Sequence, residues 1–94
     1  DELILARNDP GRTQWQLFPH PTANRIHIIP GVGGLLNFRL LSPDGRQVLE
    51  QKREALESQA VTMDLQDLPE GIYLLEIYQL PGLPVFSGKV QLRR

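Results

Sequence analysis

From Trp15 onward, clusters of Gly, Pro, Asn and Asp cut the chain into short runs of alternating or β-branched residues. That spacing predicts consecutive strands. Seven runs qualify: Trp15 to Phe18, Arg25 to Ile29, Leu35 to Ser42, Gln47 to Glu54, Ala60 to Leu65, Ile72 to Gln79 and Val85 to Leu92. Several have one apolar face. Ile26 and Ile28 oppose Arg25 and His27, Leu36, Phe38 and Leu40 oppose Asn37 and Arg39, and Val61, Met63 and Leu65 oppose Thr62 and Asp64. One-faced strands with no room for crossover helices predict an all-β fold, a seven-stranded antiparallel Ig-like β-sandwich with Greek-key connections. Phe38, Leu40, Val48, Met63, Tyr73, Leu75, Ile77 and Val90 are the expected interior.

The best helical alternative, Glu50 to Gln59, has only Ala55 and Leu56 as apolar residues and so no stripe to bury; it reads as a strand end and a loop. Between the third and fourth strands, SPDGRQ signals a hairpin, with Pro43 presetting its entry and Asp44 and Gly45 tolerating positive φ. Pro81, Gly82 and Pro84 set the last hairpin, and Pro30, Gly31, Gly33 and Gly34 form the longest flexible connection. Residues 1–14 open with Leu3, Ile4 and Leu5 and then turn polar through Asn8, Asp9, Pro10 and Gly11; they read as a linker, with residues 15–94 as the domain.

Ninety-four residues suffice for one core, which buries roughly 65% of the unfolded chain's surface. Ten basic residues balance 11 acidic ones at a net charge of −1, which argues against a nucleic-acid partner. The sequence has no cysteine, so neither a disulfide nor a thiolate metal site is available.

Side chains that suggest chemistry read more simply as structure. His20 lies in a proline-rich turn and His27 on the polar face of a strand, so neither is assigned to a metal. Ser42, Asp44 and His27 are the residue types of a hydrolase triad, but Ser42 adjoins a hairpin turn and has no nucleophile elbow. The pairs Asp64 and Asp67, and Glu54 and Glu57, read as solvated loop carboxylates. PGVGG lacks the Lys and Ser/Thr of a phosphate loop. Trp15 is expected to be partly buried against the opposite sheet. The spacing from Leu68 to Tyr73 matches a tyrosine corner, in which a Tyr hydroxyl bonds the backbone a few residues upstream. The expectation is therefore a non-enzyme with no cofactor and no small-molecule substrate.

Four segments in order, LFPHP, DGRQV, LPEGIY and KVQLRR, resemble the type A C-terminal sorting domain of the type IX, or Por, secretion system. The family's opening Tyr-Pro-Asn-Pro turn is matched by Phe18, Pro19, His20 and Pro21, with His20 in place of the usual Asn. Its Gly-Arg-x-Val turn is matched by Gly45, Arg46, Gln47 and Val48, its Leu-Pro-x-Gly-x-Tyr segment by Leu68, Pro69, Gly71 and Tyr73, and its Lys-containing terminal strand by Lys89 through Arg94.

The resemblance implies an address that carries a cargo from the periplasm through the outer-membrane translocon to the cell surface or the medium. Shuttle and sortase proteins are the implied partners, and the sortase usually cuts just before the domain. Ala6, Gly11 and Thr13 are the candidate cut positions. Lys89, Val90, Gln91, Leu92, Arg93 and Arg94 are the candidate recognition residues, since the last strand is the expected sheet edge and ends in a basic tip. A homodimer through an edge strand is a further possible assembly. Two other functions fit the same fold: an Ig-like or fibronectin-like accessory module for adhesion or ligand binding, and an ancillary domain that completes an enzyme's site.

Overall fold

The computed structural model describes residues 15–94, which form seven strands in two antiparallel sheets. The strands are β1 (Gln16–Phe18), β2 (Arg25–Ile29), β3 (Gly34–Leu41), β4 (Gln47–Ala55), β5 (Val61–Asp64), β6 (Gly71–Gln79) and β7 (Leu83–Leu92). The smaller sheet has the order β1-β2-β5 and the larger the order β4-β3-β6-β7, so the chain changes sheets after β2, after β4 and after β5. Among the described residues there is no helix, and Glu50 to Gln59 is, as expected, the end of β4 and a loop.

One apolar cluster lies between the sheets because alternation turns every second side chain inward. Ile26, Ile28 and Met63 enter it from the smaller sheet, and Leu36, Phe38, Leu40, Tyr73, Leu75, Ile77 and Val90 from the larger. Seven of the eight expected core residues are buried. Val48 is the correction: near the start of edge strand β4 it is only half-buried, packed on the rim of the cluster. Trp15 is more enclosed than expected, at 4% exposure, with its ring 5.3 Å from that of Phe86 in the opposite sheet.

Two turns differ from their expected form. In the β3–β4 hairpin the Gly45 N–H donates to the Ser42 carbonyl (2.8 Å), and Gly45 alone takes positive φ, at 88°. Asp44 does not, and instead accepts from the Ser42 hydroxyl and, at 3.4 Å, from the Arg46 N–H. Pro84 lies within β7 rather than in the hairpin before it. It stands opposite Tyr78 where the register slips by one residue past Val85, and β7 is an edge strand, so the missing N–H is tolerated there.

Candidate functional site

Antiparallel alternation places every second connection at the same end of the molecule, and all four segments singled out in the sequence meet there. Leu41, at the end of β3, pairs with Leu74 of β6, which brings the SPDG hairpin beside the start of β6. Gly71 pairs with Leu92, which sets the end of β7 against the LPEGIY turn. Thr22, in the β1–β2 loop, forms a parallel bridge to Leu92.

That bridge makes a strap. The Thr22 N–H donates to the Gln91 carbonyl (2.9 Å), the Arg93 N–H to the Thr22 carbonyl (2.8 Å), and the Gln91 N–H to His20 Nε2 (3.3 Å). Thr22 is buried, and its hydroxyl donates to the Arg25 carbonyl, which ties the strap to the start of β2. As an acceptor, the His20 imidazole must be neutral at Nε2. Burial holds its pKa below the ordinary value, and the nearby positive charge of Lys89 acts in the same direction. The position between two prolines, with Asn in the family pattern and His here, is thus occupied by a hydrogen-bond acceptor for the last strand.

The tyrosine corner is present. Tyr73 is 5% exposed, and its hydroxyl donates to the Pro69 carbonyl four residues upstream. Leu68 packs half-buried against the core, and the Leu65 N–H donates to the Asn24 carbonyl (2.7 Å), so the β1–β2 and β5–β6 loops are joined.

The candidate recognition residues divide into two kinds. Val90 and Leu92 are at or below 1% exposure and belong to the core, so they offer no side chain to a partner. Gln91 is half-buried under the strap. Arg94 is anchored: its guanidinium donates to the carbonyls of Leu68 (2.6 Å), Leu65 (2.8 Å) and Gln66 (3.1 Å) and to Asn24 Oδ1 (3.3 Å), and its N–H to Glu70 Oε2 (2.9 Å). The side chains of Lys89 and Arg93 project outward with no ion pair or hydrogen bond among the described residues. The expected three-residue basic tip is therefore Lys89 and Arg93, with Arg94 acting as a clasp on the β5–β6 loop. β7 is the sheet edge, as expected, but the strap occupies it from Gln91 to Arg93. Within the larger sheet, a strand added by another chain would have to pair nearer Leu83 to Gly88, or along the opposite edge strand, β4.

The remaining sites are dispersed. His27 lies in the smaller sheet with Nδ1 2.9 Å from the Thr62 hydroxyl, while Ser42 and Asp44 are bonded to each other in the hairpin turn. Asp44 is held below its ordinary pKa by the Ser42 hydroxyl and then by the Arg46 N–H. Asp64 accepts the Gln66 N–H (3.0 Å) in a turn. Phe18 is 42% exposed, its ring 5.3 Å from that of His27. Ala6, Gly11 and Thr13 lie outside the described residues.

A two-sheet sandwich whose distinctive residues form turns, a strap and a clasp at one end belongs with small Ig-like β modules. Within that class, the family model for the secretion system C-terminal sorting domain matches residues 16–81, well over half of the chain. The chain belongs to this family, the sorting domains of the type IX (Por) secretion system. No curated protein and no solved structure gave a significant match. The matched span holds the first three motif segments and ends before β7, so the roles of Lys89 to Arg94 rest on geometry. The domain is a sorting signal: it engages the type IX machinery and directs export across the outer membrane to the cell surface or the medium. The reading as an accessory adhesion module has no support in this match.

Proposed function

We propose that the strap end of the sandwich is the surface the secretion machinery reads, and that the domain acts by docking alone, without catalysis or a cofactor. The observation that carries this is the convergence of all four motif segments on that end. The translocon, an outer-membrane shuttle and a surface sortase dock in turn after the cargo has crossed the periplasm, with Lys89 and Arg93 steering an acidic receptor surface. The sortase cut falls within residues 1–14.

The test fuses the full 94-residue chain to a reporter in a bacterium that carries this system. Deleting Lys89 to Arg94 would remove Val90 and Leu92 from the core and so confuse folding with recognition. The informative variant is Lys89→Gln with Arg93→Gln, which leaves the core, the strap and the Arg94 clasp in place. Expected are surface display of the wild-type fusion and several-fold weaker display of the variant at an unchanged melting temperature. Retention of the wild-type reporter in the periplasm would refute the docking reading, and equal display of the variant would remove the basic pair from it.

A further inference from the structure

The outward face of an antiparallel sheet is ordinarily polar, and β6 breaks that rule at one end. Its outward residues from the turn onward are Ile72, Leu74, Glu76 and Tyr78, and the first two are large, apolar and exposed at 49% and 38%. Leu74 sits directly between Leu41 of β3 and Lys89 of β7, so the apolar patch spans β3 and β6 and meets a cation on β7. With Pro43 and Gly45 of the hairpin forming one wall, these residues line a groove of about 470 Å³, in the size range of sites that seat a ligand or an anchoring side chain. Lys89 is the one charged residue in its lining, and its ammonium forms no ion pair among the described residues.

We propose that this groove seats an extended segment of a protein of the secretion machinery, with an aliphatic side chain against Leu41, Ile72 and Leu74 and an adjacent carboxylate on Lys89. The inference rests on the sorting function and deepens it by naming the chemistry of the partner. Charge complementarity sets the occupant: a lone cation beside an otherwise uncharged, mainly apolar lining matches an aliphatic side chain next to an acid. A few side chains are far short of the roughly 800 Å² per partner that a stable dimer buries, which disfavours a second copy. A membrane surface is disfavoured because binding anionic lipid takes a cluster of several Lys or Arg, whereas the groove has one and the chain's net charge is −1.

The experiment uses the full chain fused to a reporter, with three variants: Ile72→Thr with Leu74→Thr, Lys89→Glu, and Lys89→Arg. Threonine keeps strand propensity at exposed positions, and melting curves of the purified chains confirm folding. Expected is about a tenfold loss of surface display for the Thr pair and for Lys89→Glu, with Lys89→Arg displayed as wild type. Display of wild type and all variants alike would overturn the groove and leave the sorting function standing. Periplasmic retention of the wild-type fusion would instead remove the function and the groove together. Self-association in analytical ultracentrifugation, or binding to phosphatidylglycerol vesicles, that the Thr pair abolishes would assign the patch to a second copy or to lipid and overturn the proposal.

Discussion

Replacing Tyr73 by Phe removes one hydroxyl and leaves the packing in place, so it isolates the corner hydrogen bond. The ring is 5% exposed and stays in the core, which rules out a cavity contribution. The partner is the Pro69 carbonyl, and Pro69 is exposed, so water takes over that acceptor and no polar atom is stranded. The cost is then the net worth of a single hydrogen bond, about 1 kcal/mol. In a domain of this size that lowers the melting temperature by roughly 4–8 °C. Tyr73→Ala removes the ring as well and should cost about 3–5 kcal/mol, a large share of the stability of a small domain. Calorimetry on the two variants and the wild type measures both. A Tyr73→Phe melt within about 1 °C of wild type would show that the corner bond contributes nothing. A loss equal to that of Tyr73→Ala would show that the hydroxyl organises more than one turn.

Gly45→Ala should cost about 1–2 kcal/mol in urea denaturation, because Gly45 has φ of 88° and an added Cβ meets no atom within 4 Å, leaving backbone strain as the only penalty; no loss would mean that the hairpin turn had changed type. His20 gives a pH dependence of known sign. Its folded pKa lies below the ordinary 6.5, so its contribution is complete above that value, and stability falls as the pH drops through it, because the unfolded chain takes up the proton first. His20→Gln keeps an acceptor for the Gln91 N–H and removes the titration, so its urea midpoint should fall less than that of wild type between about pH 7.5 and 5.5. Both proteins retain His27, which leaves His20 as the difference, and parallel profiles would refute the assignment.

Alternation alone made the sandwich legible, since Ile26, Ile28, Phe38 and Leu40 can all be buried together only if two one-faced sheets close on each other. What it could not show was anything that depends on contacts between distant segments. Pro84 reads locally as a turn residue, and only the slipped register opposite Tyr78 makes it a strand residue. Val48 falls where the β3–β4 register slips: Leu49 pairs with inward Leu40 and Gln47 with Leu41, and the unpaired residue between them has no mark in the local pattern. Arg94 looked like a solvent-facing charge because its partners are main-chain carbonyls, which leave no mark in a sequence. Three of the motif segments were readable as turns and the fourth as the last strand, and their meeting at one end follows from strand parity. The strap was hidden, since a parallel bridge from Thr22 to Leu92 has no local pattern at either position.

The strap also sets the order in which the domain can be completed. His20 and Gln91 are 71 positions apart, so the β1–β2 loop must wait for the end of β7 before its hydrogen bonds can form. Until β7 arrives, the edge of central strand β6 is open and Val90 and Leu92 are missing from the core. The loop-closure entropy of a long contact is repaid only once those two side chains are in place. During N- to C-terminal synthesis the end of the molecule that holds every motif segment therefore takes shape last. A chain that stops short of Gln91 has the sequence of most of the signal and none of its closed form.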